Sequence, residues 1–311
     1  MNVFLWHVHG SWTTALVQGP HRYYFPVDAR RSPNGRGRAQ TWEWPENAIE
    51  IDAESARGLE VDAIVLQRPE EFELAVEWLG RHPGRDIPAI YLEHNTPRGV
   101  MPMSRHPVAD RDDITLVHVT HFNSLFWDSG TTRTHVIEHA VVDPGYRYSG
   151  ELERTAVVIN EPVRRGRTTG TDLLPRFACA GPIDLFGMGV AELGGFENLP
   201  QARLHDEISR RRVYLHPIRW TSLGLSLIEA MYLGMPVVAL ATTEAPEAIP
   251  DGAGVCSTSV DALIDAIRFY QSHAAAARRA GSTAREYAKA RYNLKRFLEN
   301  WNSLFDKVVT G

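Results

Sequence analysis

The stretch 215-LHPIRWTSLGLSLIEAMYLGMPVVAL-240 decides the architecture. Tyr214 and Leu215 end an apolar run that reads as a strand. Leu223-Gly224-Leu225 leads into a helical run to about Leu233; Gly234 stops it and Pro236 opens another apolar run. Strand, glycine turn, short helix, glycine stop and strand make one unit of a parallel α/β sheet. A helix start presents unpaired N–H groups and a partial positive charge, so this one can receive a phosphate without a lysine. Gly224 lets the backbone come close. Glu229, about one turn inside, can accept both hydroxyls of a ribose. The plainer alternative is an α/β unit in which Gly224 is only a turn and Glu229 a solvated helix residue.

The chain has 311 residues, which suits two domains of about 150 each. At 43% hydrophobic and 23% charged it has the composition of a folded protein. A net charge of −5 argues against a general nucleic-acid binder. Two cysteines, Cys179 and Cys256, make neither a disulfide framework nor a metal motif, which points to a reducing cytoplasm. The start "MNVFLWHVHGSW" lacks the pattern of a signal peptide, and no apolar run nears the roughly 18 residues of a spanning helix. Attachment to a membrane surface stays open. Lysine occurs only at Lys289, Lys295 and Lys307, so any cation holding a phosphate upstream must be arginine. The planar guanidinium suits that task because it can bond bidentately.

Strand-like runs at 2–8, 62–66, 87–92, 114–119 and 134–138 alternate with helical ones such as "PEEFELAVEWLGRH", ended by Gly80 and Pro83. Runs at 156–159, 176–180, 212–215 and 236–240 repeat the pattern. The expected fold is α/β, with two doubly wound, Rossmann-like parallel-sheet domains and a cleft between them. The break falls in the Pro/Gly/polar stretch 143–155, and 28–47 reads as a long loop. The expected parts are an acceptor-side domain at 1–150, a nucleotide-sugar domain at 151–290 and a C-terminal helix at 291–311 crossing back. The tail from about 274 to 308 is helical in pattern, with Phe297, Trp301, Leu304 and Phe305 on one face.

The segment "TSLGLSLIEAMYLGMPVVA" resembles the signature of retaining GT-B glycosyltransferases of family four, the glycosyl transferases group 1 type. Their pattern runs Glu-Gly-Phe-Gly-Leu, three residues, Glu-Ala-Met, then Gly-x-Pro-Val-Val-Ala. The resemblance implies that Glu229 binds the ribose and that the amides around Ser222, Leu223, Gly224 and Leu225 meet the donor diphosphate. The family's first glutamate is Thr221 here, and its neighbouring glycine is Ser222. A second match, to Gly-Arg-x-x-x-x-Lys-Gly, lies in "VVINEPVRRGRTTGTDLL". It puts Arg164 on the diphosphate-gripping arginine and Thr169 on the lysine, so Arg167 or Arg165 would supply the second cation. Glu247 matches a further family glutamate. The likeness is strong over about 155–250 and weak elsewhere.

In the first half, His94 follows the strand "IPAIYL" at its carboxyl end, where α/β ligands bind. The resemblance makes it the residue contacting the donor sugar near the anomeric carbon, and with Arg164 it forms the catalytic pair. "HVHGSW" matches the family's glycine-containing loop, placing Gly10 near the phosphates and His9 near the sugar or acceptor. His121, Thr221 and Glu247 are further sugar or acceptor candidates. His7 and His9 share a strand face but have no third metal ligand. "DRDD" at 110–113 reads as a turn rather than a metal motif. "HVIEH" at 135–139 fits a zinc-protease pattern, but that motif needs a helix and this run is β-like. "FGMGVAELGG" is not Gly-x-Gly-x-x-Gly, and there is no Walker P-loop.

The implied activity is metal-independent transfer of a hexosyl group from a nucleoside diphosphate-sugar to a hydroxyl of a carbohydrate or lipid-linked acceptor, of the kind that builds polysaccharides or the cell envelope. The nucleotide sugar is a substrate, so no cofactor and no metal is expected. The alternatives are a non-catalytic sugar-nucleotide-binding accessory subunit and a GT-B sugar-nucleotide epimerase.

Overall fold

The structure, a computed structural model, describes residues 1–311 apart from the side chain of Pro102. The chain forms two compact units, residues 1–142 with 294–311, and residues 143–293. The first is built on strands β1 (Asn2–Leu5), β2 (Arg22–Pro26), β3 (Ala48–Ile51), β4 (Ala63–Leu66), β5 (Ala89–Glu93), β6 (Ile114–His118) and β7 (Arg133–Val136). They lie in the order β3-β2-β1-β4-β5-β6-β7, and every pairing is parallel. Every residue of β4, β5 and β6 is buried, as a strand covered on both faces must be. Helices α1 (Gly10–Leu16), α2 (Ala53–Arg57), α3 (Glu71–Leu79) and α4 (His121–Phe126) belong to the same unit. Asp52 caps α2 by accepting from the Ser55 N–H, and Thr120 caps α4 through the Asn123 N–H. Phe4, Trp6, Ile64, Leu66, Trp78, Tyr91 and Leu116 fill one core between sheet and helices.

The second unit carries strands β8 (Leu152–Val158), β9 (Ile183–Gly187), β10 (Phe196–Glu197), β11 (Arg211–His216), β12 (Val237–Leu240) and β13 (Gly254–Ser257). Their order is β10-β9-β8-β11-β12-β13, again all parallel. Its helices are α5 (Pro162–Arg165), α6 (Leu174–Phe177), α7 (Gln201–Arg210), α8 (Leu225–Leu233), α9 (Ala245–Ala248), α10 (Val260–Ser272) and α11 (Ala274–Arg291). α8 ends as the sequence predicts. Gly234 is left-handed at φ 87°, its N–H bonds to the Met231 carbonyl, and the Met235 N–H bonds to that of Ala230. These two bonds close a Schellman motif and satisfy the last carbonyls.

Three readings need correction. The run 176–180 is helical, in α6 and a 3₁₀ turn at Ala178–Ala180, and the strand comes after it as β9. So short a run, an arginine followed by four apolar residues, cannot be assigned by periodicity, and Pro175 sits in the first turn of α6, where its missing N–H costs nothing. β2 and β3 were not foreseen, because "RYYFP" and "AIEI" are short and interrupted by polar or proline residues. The helical tail is two helices, α11 and α12 (Leu294–Thr310), separated by Tyr292 and Asn293. α12 joins the first unit, where it packs on α1 and β4 and buries Phe297, Trp301, Leu304 and Phe305.

Candidate functional site

In each sheet the strand order reverses once, and the carboxyl ends of the two strands flanking that reversal are where an open α/β sheet binds ligands. In the second unit those strands are β8 and β11. The chain leaving β8 turns at Glu161, which is left-handed at φ 56°, and enters α5. The chain leaving β11 runs through residues 217–224 into α8. Backbone N–H groups of Arg219 and Trp220 both donate to the Thr168 carbonyl, at 2.9 and 3.3 Å, tying the two loops together.

Gly224 is the N-cap of α8, in extended conformation, and no side chain caps the helix. Its lack of a side chain has a reason beyond the one expected from sequence. A Cβ there would stand 2.5 Å from Cε1 of His216, the last residue of β11, so the imidazole occupies the space a side chain would need. His216 is buried and held neutral, its pKa pushed down to about 4 by burial. The adjoining Tyr214 hydroxyl donates to Ser226 Oγ at 2.9 Å, bracing the first turn of the helix. Ser222 and Leu223 are buried, while Thr221 and Leu225 are partly exposed.

Glu229 is 5% exposed, which removes the alternative of a solvated helix residue. Its Oε2 lies 3.6 Å from His205 Nε2 of α7, and Gln201 approaches the same nitrogen at 2.8 Å. Arg164 and Arg167 are exposed; their nearest carboxylates are Glu161 at 3.3 Å and Asp172 at 3.3 Å. Thr169, on the family's lysine position, is fully buried with its hydroxyl bonded to Gly166 and Thr171, so it lies inside the turn. Sequence reasoning missed Arg219. It forks onto Asp172, with Nη2 to Oδ2 at 2.9 Å, and donates to the Arg167 carbonyl. The scarcity of lysine was the signal that pointed to such a residue. Glu247 is an exposed carboxylate on α9. The preceding Glu244 is the buried one, reaching Arg291 at 3.2 Å, and its N–H donates to the Ser222 carbonyl at 3.4 Å.

In the first unit the reversal lies between β1 and β4. His94, just past β5, is buried, and burial holds its pKa well below the ordinary value. Gln67, just past β4, donates its amide N–H to the Trp6 carbonyl at 2.8 Å. A carbonyl only accepts, so the amide's orientation is assigned by that bond and its oxygen faces His94 Nε2, at 3.1 Å. His94 is therefore a neutral imidazole with its proton on Nε2. His9 packs on it with ring centroids 3.9 Å apart, His139 stacks at 6.0 Å, and Trp12 meets it edge-on at 5.4 Å. Neither Gln67 nor His139 was foreseen, since both act through neighbours distant in sequence.

Gly10 opens α1 for a packing reason: a Cβ would strike the ring of Trp42 at 2.5 Å. His121 is the exposed first residue of α4. The "HVIEH" run lies in β7 and the irregular chain beyond it. Among the described residues no group of three or more His, Cys, Asp or Glu side chains is arranged to hold a metal ion. No helix among them is long and apolar enough to cross a membrane.

Residues 194–287, within the second unit, match the family described as Glycosyl transferases group 1. Among solved structures, sucrose-phosphate synthase from Thermosynechococcus elongatus superposes with a TM-score of 0.73 at 14% identity, over 99% of this chain and 98% of that one. HepE of Anabaena, in complex with UDP-glucose, gives a TM-score of 0.68 at 13% identity over 99% and 100%. TarM of S. aureus, in a complex that includes UDP, gives 0.63 at 16% over 78% and 55%. No curated protein sequence matches the chain.

Proposed function

We propose that this chain, a GT-B protein with a glycosyl transferases group 1 segment at 194–287, moves a sugar from a nucleoside diphosphate donor to a hydroxyl of a carbohydrate acceptor, with retention. The observation that carries the reading is the start of α8. Its first turn has no side-chain cap and opens at the strand reversal, on loops that also bear Arg164, Arg167 and Arg219. Unpaired amides and guanidinium groups there suit a diphosphate, and they would stabilise it most as it departs and gains charge. Glu229 takes the ribose, with His205 placed to orient the carboxylate. His94, held neutral with a defined proton, contacts the sugar. The sugar–phosphate bond breaks, the acceptor hydroxyl adds at the anomeric carbon, and its proton passes to the departing phosphate oxygen. Retention rests on the family resemblance.

Solved complexes of HepE with UDP, with UDP-glucose, and with UDP and glucose make uridine nucleotides the first probes. Calorimetric titration with UDP should show one site. Arg219→Ala and Glu229→Gln should each weaken binding by roughly 1–3 kcal/mol, the range for losing a hydrogen bond to a charged group. UDP, GDP, ADP and TDP all failing to bind would end the proposal. One observation favours a second reading. Thr221, where the family has glutamate, fits a non-catalytic nucleotide-sugar binder, which would bind UDP-sugars yet show neither transfer nor slow hydrolysis.

A further inference from the structure

A cavity of about 560 Å³ opens in the first unit beyond the carboxyl ends of β4 and β5, a volume typical of small-molecule sites. Its wall includes Arg68, Tyr91, Asn95, Arg98, Arg105 and Trp127. We infer that it is a subsite for an anionic group, phosphate or carboxylate, carried by the acceptor; this rests on the transferase reading above.

The charge of the wall is the first argument. It holds three guanidinium groups, two of them already matched by carboxylates, and two carboxylates of its own, Glu70 and Glu93. Glu93 is already used: one oxygen accepts the Asn95 N–H at 2.5 Å and the other faces His106 Nε2 at 3.1 Å. Arg105 is engaged by Asp110 and Asp128, and Arg68 by Glu71 at 2.7 Å and Glu70 at 3.6 Å. The guanidinium of exposed Arg98 has neither an ion pair nor a hydrogen bond among the described residues. It is the group an incoming anion would meet.

Tyr91 supplies the second argument. It is 1% exposed, lines the cavity, and its hydroxyl has no hydrogen-bond partner among the described residues. Burial and the neighbouring Glu93 carboxylate keep the phenol protonated, so it is a donor. The hydroxyl is accessible from the cavity, so it stands open to a ligand or water that can accept from it. Trp127 is pinned by its indole N–H to the Asn95 carbonyl at 2.9 Å, which presents a fixed aromatic surface for a sugar ring. Gln67 both lines the cavity and contacts His94, so one side chain links the cavity wall to the histidine assigned to the sugar.

The test is calorimetric titration of the full chain with glucose 6-phosphate, glucuronate and glucose, with and without UDP. Either charged sugar should bind at least about tenfold tighter than glucose. The two arms separate a phosphate from a carboxylate preference. Arg98→Ala, at an exposed position, and Tyr91→Phe should each erase most of that preference while leaving UDP affinity unchanged. Equal affinity for all three sugars, undetectable binding of all three, or a preference that survives Arg98→Ala would overturn the inference. UDP affinity, assigned above to Arg219 and Glu229, reports separately on the transferase reading.

Discussion

The contact between Gly224 and His216 shows how one residue's identity follows from its neighbour. The imidazole ends β11 and fills the volume beside the α8 N-terminus, so any side chain at 224 must displace a buried ring. Gly224→Ala should destabilise the protein by about 1–3 kcal/mol, the cost of overpacking a filled site, and should weaken UDP binding because the first turn shifts. In a His216→Ala background the ring is gone, so the same substitution should cost much less. A double-mutant cycle on unfolding midpoints and UDP affinity measures that coupling. Additive effects would mean that the glycine answers to something other than the imidazole. At this scale the sequence marked Gly224 as a glycine opening a helix, while the imidazole beside it comes from the fold and leaves no local mark. Glu229 was likewise visible as a carboxylate at a set distance from a helix start. Its burial against His205 depends on α7, which no local pattern connects to it.

Elements were legible where one signal ruled. The wholly buried β4, β5 and β6, the glycine stop after α8 and the spaced aromatics of the tail all read correctly, because burial on both faces, a left-handed cap and a helical stripe leave direct marks. β2, β3 and the helical run at 174–180 were not, since tertiary pairing and a proline decide them. The α12 stripe yields a prediction about packing quality. Trp301 is fully buried, meets Trp12 edge-on at 5.4 Å, and its indole N–H has no acceptor among the described residues. Trp301→Ala should cost about 3–5 kcal/mol in chemical unfolding, as for other large-to-small core changes. Trp301→Phe should cost far less, because it keeps most of the apolar contact and removes an unsatisfied donor. Equal losses would show that the indole nitrogen, not the packing, matters.

Across the whole molecule the chain holds many histidines neutral in its interior. Burial is the first cause in each case: it depresses His7 and His216 to about 4, and His118 and His139 to about 3. Unfolded, each would titrate near 6.5. Between those values the unfolded chain binds more protons than the native one, so stability must rise with pH. It should be fully present above about 6.5 and be lost progressively as pH falls toward 4. Glu71 opposes this. Burial raises its pKa to about 7, so its native carboxyl holds a proton that the unfolded chain releases, and its contribution shrinks as pH rises from 4.5 to 7. Four groups against one leave the histidine sign in control. Urea midpoints should therefore fall from pH 7 to pH 5. Glu71→Gln, which keeps the shape and removes the opposing titration, should steepen that fall. A midpoint that stays level or climbs on acidification would mean that the buried imidazoles are charged in the native protein, and the neutral His94 on which the sugar contact depends would have to be given up with them.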